Sequence, residues 1–468
     1  MTKLKKNFIY NIAFQILNLC LPIITVPYIS RTLGVEGSGI YSYTYSIVNY
    51  FMIFAMLGIS NYGNRKIAKC RENKNDLAKE FISLYTLQIV LTTISLIIYI
   101  LYCMFISNYK IVSWIEILFL FSTLLDISWL YFGLEEFKKT VTKNILIKVI
   151  SLILILLFVK DSNAIYTYTL IMAISTFISQ LVLWKGIKNY IDFKNYKLDK
   201  NDVIKHIKGT LVLFIPVISY SIYKIMDKIM LGLLSNIEEV GYYEYAEKII
   251  NIPIGFITAL GTVMLPKISN LVEKEEFDSI KKYLFRALKF IMFFAIPSCL
   301  GLISIGTEFS ILFLGEEYLR TGIIIKYLSI TIIFTAWANV IRTQWLIPKE
   351  KDSIYISTTI IGAFLNLFIN LILIPKFGAV GASIGTICSE FGIMFLQSFL
   401  SRKEIRFNVI FKNILQFVIA ALIMFIWINI VGSFINNIYL KLIVECILGV
   451  TIYAVLNYKY IKKEILMK

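Results

Sequence analysis

The chain has 468 residues, 58 % of them hydrophobic, with a mean hydropathy of +0.75. Soluble domains are roughly 45–50 % apolar, so a soluble globular protein is excluded. The net charge of +17 would suggest nucleic acid in a soluble chain. Here the cations lie in loops between apolar stretches, where anionic lipid accounts for them.

A bilayer span needs roughly 20 mostly apolar residues. In chain order about fourteen stretches qualify: 8–28, 40–61, 81–106, 114–134, 144–159, 165–184, 210–234, 242–265, 283–305, 322–346, 354–374, 380–400, 410–431 and 439–458. Lipid cannot satisfy open backbone groups, so stretches of this length are helices. The basic residues 3–6 before the first stretch could mimic a signal peptide. The apolar run is too long for that, and no small-residue cleavage site follows, so it reads as the first span. No gap between spans exceeds about 25–30 residues, and no soluble domain is evident.

The charges orient the spans, because cytoplasmic loops carry the excess of Lys and Arg. With the N-terminus inside, about 34 of the 47 cations fall in cytoplasmic segments and about 7 in outside ones. The alternation holds to the last segment, which predicts an even number of spans and both termini in the cytoplasm.

Catalytic hardware is missing. Cys20, Cys70, Cys103, Cys299, Cys388 and Cys446 are isolated. Their spacing suggests neither metal ligation nor a disulfide framework, and they read as small apolar residues. The single histidine, His206, sits in a basic loop. No Gly-Lys-Ser/Thr phosphate loop is present, which argues against direct use of ATP. The sequence predicts no catalytic residues, no metal site and no cofactor. It points to moving something rather than making it.

Ionisable residues inside spans are costly and usually face a bundle interior or a wet cavity. Asp126 lies in the fourth span, with Ser122, Trp129 and Gly133 on one helical face. Lys224, Asp227 and Lys228 share a face of the seventh, downstream of Pro216, which would permit a kink. Arg342 and Gln344 interrupt the tenth span. Glu390 interrupts the twelfth, in line with Ser383, Thr386 and Gln397. The first span carries Asn11, Gln15, Asn18 and Thr25 on one face. Bland readings stand beside these. Lys148 and Lys248 near span ends would snorkel. Lys224, Asp227 and Lys228 could neutralise one another, Asp126 could pair with a structural cation, and the Asn/Gln stripe could be interhelical glue.

The first span reads Leu21-Pro22-Ile23, then Leu33-Gly34 and Gly39-Ile40-Tyr41. The seventh reads Ile215-Pro216-Val217, then Leu231-Gly232 and Gly241-Tyr242-Tyr243. Both start inside, so the halves would be parallel repeats, a recurrent transporter plan. The expected architecture is an all-α integral membrane protein of about 14 transmembrane helices. It would comprise two parallel six-helix bundles, residues 1–208 and 209–400, with helices 13 and 14 added over 401–468.

Several blocks carry a family resemblance. They are Tyr28-Ile29-Ser30-Arg31-Thr32-Leu33-Gly34-Val35-Glu36-Gly37, Asp126-Ile127-Ser128-Trp129-Leu130-Tyr131-Phe132-Gly133, and Asp227-Lys228-Ile229-Met230-Leu231-Gly232 running on to Glu239-Val240-Gly241-Tyr242-Tyr243. In order and spacing the chain resembles the Wzx-type bacterial polysaccharide repeat-unit flippases. These belong to the MOP superfamily with the MATE multidrug exporters and lipid-II flippases.

The resemblance implies a substrate, an undecaprenyl-pyrophosphate-linked oligosaccharide carried from the cytoplasmic to the outer leaflet by alternating access. It implies the bacterial cell membrane, capsule or O-antigen synthesis, membrane lipid as a partner, and a polysaccharide polymerase and chain-length regulator as further partners. No nucleic acid is expected. Arg31, Lys224, Lys228 and Arg342 are the cations that could hold the pyrophosphate, and Asn11, Gln15 and Asn18 could replace the water around the sugars. Asp126, Asp227 and Glu390 are the carboxylates for ion coupling or gating. Two rivals are an organic-cation exporter, which would want an anionic cavity, and a membrane polymerase, which would want large outside loops.

Overall fold

The structure is a computed structural model. It describes residues 3–191, 193, 199–274, 276–405 and 407–462, without the side chains of 3–20, 137, 220, 223, 259–263, 265–267, 269 and 277. It is all-α, with no strand among the described residues. The helices are α1 (Lys3–Met56), α2 (Ile59–Cys70), α3 (Lys74–Phe105), α4 (Lys110–Leu124), α5 (Ser128–Gly133), α6 (Phe137–Phe158), α7 (Ile165–Trp184), α8 (Lys200–Leu234), α9 (Ile237–Glu273), α10 (Phe277–Leu314), α11 (Leu319–Ile341), α12 (Asp352–Phe377), α13 (Ala379–Ser401), α14 (Phe407–Ser433) and α15 (Ile438–Leu456).

The expected apolar stretches fall on helix, apart from short breaks at residues 57–58 and 125–127. Fewer separate helices than expected stretches qualify as spans. Among the described residues, 11 helices are long and apolar enough to cross a bilayer, or up to 12 if the two parts of α8 count as one span. The reason lies in how the stretches are joined. The first two share α1, whose one interruption is Gly34 at φ 68°, a backbone conformation open to glycine. The eighth lies on α9, part of which is outside the described side chains.

Asparagines start several helices. Asn73 Oδ1 accepts from Asn75 N at 3.0 Å before α3. Asn236 Oδ1 accepts from Glu239 N at 2.9 Å before α9, and Asn437 Oδ1 from Tyr439 N at 3.0 Å before α15. Each satisfies backbone donors that a helix leaves open at its first turn. Large apolar side chains such as Phe105, Phe364, Phe368 and Val450 are exposed, as a lipid solvent requires.

The chain divides into two compact units, Met1–Ser221 and Ile222–Lys468, with the boundary inside α8. In the first unit, Phe81, Leu84, Trp129, Ile59 and Ile67 form a buried core under α2, α3 and α5. Gly63 abuts the Trp129 ring, and Gly133 abuts Ile67, so a side chain at either would push the two short helices apart. In the second unit, α14 and α15 pack on α10. Tyr453 OH donates to the Phe293 carbonyl at 2.9 Å, Asn429 Nδ2 to Ser304 Oγ at 3.0 Å, and Lys441 pairs with Glu308 at 2.5 Å.

Between α13 and α14, Glu404 binds Lys349 at 3.1 Å and also pairs with Lys351. Partial burial pushes the Glu404 carboxyl up, but the hydrogen bonds and charges of Lys351 and Lys349 outweigh it and hold it below its usual range. A depressed carboxylate stabilises the fold above its unfolded value and loses that contribution as pH falls. Glu404→Gln is expected to lower the melting temperature of the purified protein at neutral pH and to leave it unchanged in acid. Glu404 is about a third exposed, so solvent screening limits the effect to about 1 kcal/mol. An equal loss at both pH values would refute the pairing.

Candidate functional site

The polar residues of the second unit converge on Asp227 of α8, whose side chain is 1 % exposed. Tyr243 OH of α9 donates to its Oδ2 at 2.6 Å, and Thr386 Oγ1 of α13 donates to the same oxygen at 2.7 Å. Asn370 Nδ2 of α12 donates to Oδ1 at 2.6 Å. Asn366, one turn before Asn370, is fully buried and accepts from it at 3.2 Å. The donors on Asp227 are therefore neutral. Asn370 Oδ1 is buried with no hydrogen-bond partner in the same cluster. Gly385 leaves room for Asn370, since a Cβ there would collide with that oxygen.

Lys228 goes elsewhere. Its Nζ lies 2.6 Å from Glu244 and 2.8 Å from Glu247 of α9, and Lys248 reaches Glu244 at 2.9 Å. Two cations and two carboxylates cancel, which is what a mostly buried cluster needs. Lys224 meets a different carboxylate, with Nζ 3.8 Å from Glu390 of α13. Glu390 is 3 % exposed, and its Oε1 makes no hydrogen bond. Lys224, Tyr243, Glu247, Asn251, Thr331 and Thr386 line one small cavity.

The shared face of Lys224, Asp227 and Lys228 is thus split by three different sets of partners. The idea that the three neutralise one another is corrected: each finds its partners on α9, α12 or α13. Ser383, Thr386, Glu390 and Gln397 are all buried along α13, as their spacing predicts. Arg342 opens a π-helical turn, Arg342–Leu346, and its guanidinium lies 5.5 Å from the centre of the Tyr355 ring.

In the first unit, Asp126 does not stand in a helix. α4 ends at Leu124 and α5 starts at Ser128, and Asp126 Oδ1 accepts from Ser128 N at 2.9 Å. The expected continuous face with Ser122, Trp129 and Gly133 is broken there. Gln88 of α3 caps the break, donating to the carbonyls of Thr123 at 2.7 Å and Asp126 at 2.9 Å and accepting from Trp129 Nε1 at 3.0 Å. Because an amide oxygen can cap Ser128 as a carboxylate does, Asp126→Asn is expected to preserve the fold. Asp126→Ala should cost about 1 kcal/mol, the usual worth of a cap. Thermal melting of both variants checks this; equal losses would sink the capping role.

Arg31 lines an open groove with Tyr28, Thr32, Leu156, Lys160 and Asp161. Asn11, Gln15 and Asn18 stand on α1, and their side chains are outside those described. Sequence reasoning missed Tyr243, Asn366, Asn370 and the Glu244–Glu247 pair as partners. The signal available was periodicity: Glu244 and Glu247 stand three apart, and Asn366 and Asn370 four apart, each pair on one helical face.

A family model described as polysaccharide biosynthesis protein matches residues 4–272. A Shigella dysenteriae protein named as a candidate O-antigen transporter is 25 % identical over 396 residues, covering 83 % of this chain and 97 % of its own. The solved structure of a lipid II flippase in an inward closed conformation superposes with a TM-score of 0.73 at 20 % identity, covering 99 % of both chains. An inward-facing MATE multidrug resistance transporter follows with a TM-score of 0.61 at 13 % identity, covering 85 % of this chain and 96 % of that one.

Proposed function

The chain belongs to the polysaccharide biosynthesis protein family, and from that premise we propose that it flips undecaprenyl-pyrophosphate-linked oligosaccharide from the cytoplasmic to the outer leaflet by alternating access. It is a multi-pass membrane transporter rather than an enzyme. The observation that carries the reading is the match to a candidate O-antigen transporter over 83 % of this chain and 97 % of the relative, joined to a polar cluster buried among apolar helices. The sugars and pyrophosphate cannot cross hydrocarbon unaided, because their polar groups would lose water without replacement.

Arg31, Lys224 and Arg342 are the cations proposed for the pyrophosphate. Lys228 is already held by two carboxylates and serves the site by positioning α8 against α9. Asp227 is the carboxylate proposed to take a coupling ion, since only neutral groups donate to it. Glu390 faces Lys224 and would release that cation to substrate. A polysaccharide polymerase would consume the delivered units.

Deleting the gene should trap single lipid-linked repeat units on the cytoplasmic side. Single units displayed outside would indicate a polymerase instead, and intact surface glycan with drug sensitivity would indicate an exporter. The proposed address is the bacterial cell membrane with cytoplasmic termini. Cysteine placed at Asn75, exposed in the first turn of α3, or at Lys403, exposed between α13 and α14, is expected to resist an impermeant thiol reagent in intact cells. Labelling at both positions would invert the orientation.

A further inference from the structure

Glu116 of α4 is fully buried in the first unit and has no part in the transport reading. Its Oε1 lies 2.9 Å from Thr44 Oγ1 of α1, and its Oε2 lies 3.4 Å from Tyr99 OH of α3. No cation among the described residues pairs with it; Thr44 and Tyr99 are its polar partners. The titratable groups around it are Tyr99, Tyr102 and Cys103 of α3, with Tyr43 of α1 beyond, beside Tyr102. All of these side-chain types are ordinarily uncharged at neutral pH.

The protons can be counted. A hydroxyl has one to give. Thr44 Oγ1 is 2.9 Å from the Ile40 carbonyl oxygen, as near as it is to Glu116. Tyr99 OH is 3.1 Å from the Ser113 carbonyl oxygen, nearer than to Glu116. With both hydroxyl protons on those carbonyls, a carboxylate at Glu116 would receive no hydrogen bond from either side chain in a fully buried site. One more proton on Oε1, donated to Thr44 Oγ1, removes the charge and leaves only a neutral carbonyl oxygen, Oε2, without a donor. An unpaired buried carboxylate is among the most expensive groups a protein can hold.

We propose that Glu116 is a proton-binding site, at which the first unit carries a proton at neutral pH between α1, α3 and α4. The unfolded chain releases that proton near the ordinary glutamate value of about 4.3. The folded state then binds more protons than the unfolded one as pH rises above it, so stability falls with rising pH.

Infrared spectra of the purified full-length protein at neutral pH should show the carbonyl stretch of a protonated carboxylic acid. Glu116→Gln should lose intensity in that band. Gln is neutral and keeps an N–H to donate toward Thr44, so this variant should fold. Its melting temperature should lack the downward slope that the parent shows between about pH 5 and 8. A folded parent without any protonated-acid band would overturn the proposal. So would a Glu116→Gln variant that fails to fold, keeps the full band, or keeps the parent's slope.

Discussion

Lys228→Ala is expected to cost the fold about 3–5 kcal/mol, the usual penalty for stranding one partner of a buried ion pair. Lys228 stands between Glu244 and Glu247, and all three side chains are between 15 and 17 % exposed. Without its ammonium, the two carboxylates on one face of α9 lose the cation they share, while Lys248 still reaches Glu244. The measurement is the melting temperature and membrane yield of the purified protein. Replacing Lys228, Glu244 and Glu247 together by Met, Gln and Gln should recover most of the loss, because a neutral set leaves no charge stranded. Lys224→Ala should behave differently. Its Nζ stands 3.8 Å from Glu390, beyond hydrogen-bond distance. Removing it strands the buried Glu390 carboxylate, so some stability is lost as well, and glycan export per folded molecule should fall. Unchanged stability in Lys228→Ala would refute the structural role of the Glu-Lys-Glu clamp.

The second large effect is expected from Asp227→Asn. Tyr243, Thr386 and Asn370 all donate to this carboxylate. An asparagine keeps one acceptor oxygen and turns an N–H₂ toward donors, which should cost about 1–3 kcal/mol of stability. The greater loss should be functional. Transport into reconstituted vesicles should lose its response to an imposed proton or sodium gradient. The change should be about 5–150-fold, the span of a coupling free energy of 1–3 kcal/mol. Glu390→Gln is the control: it removes the carboxylate facing Lys224 and should preserve the gradient response. An Asp227→Asn protein that folds and responds to the gradient as the parent does would remove Asp227 from coupling.

Helix positions were readable in the sequence because a hydrocarbon solvent permits few alternatives. The apolar stretches became helix but for short breaks. Joints between stretches were harder to read. Gly34 breaks α1 through its own backbone, and nothing in the flanking residues separates such a break from a loop. At Asp126 the apolar run continues through Leu124, Leu125 and Ile127, so hydropathy gave no sign of the gap. That gap depends on Gln88, far away in sequence, capping its carbonyls. Periodicity placed Lys224, Asp227 and Lys228 correctly on α8, and burial of Glu390 followed from its place on α13. Their partners were not readable, since a period fixes a residue's face but not which helix meets it. Glu116 was passed over for the same reason: its meaning comes from Thr44 and Tyr99 on other helices.

The break at Gly34 bears on how the chain can be cut or interrupted. A straight helix of 54 residues would be about 80 Å long at 1.5 Å per residue. A bilayer with its headgroups is about 40–45 Å thick. The run is therefore too long for one straight crossing, and what interrupts it is a kink at a single glycine rather than a loop. Proteases and inserted tags need exposed loop backbone. At this end of the first two spans there is helix on both sides of a single glycine. An added protease should find no cleavage site there, and an epitope inserted at Gly34 should abolish the protein, whereas one inserted at Glu72, in the exposed turn before α3, should be tolerated.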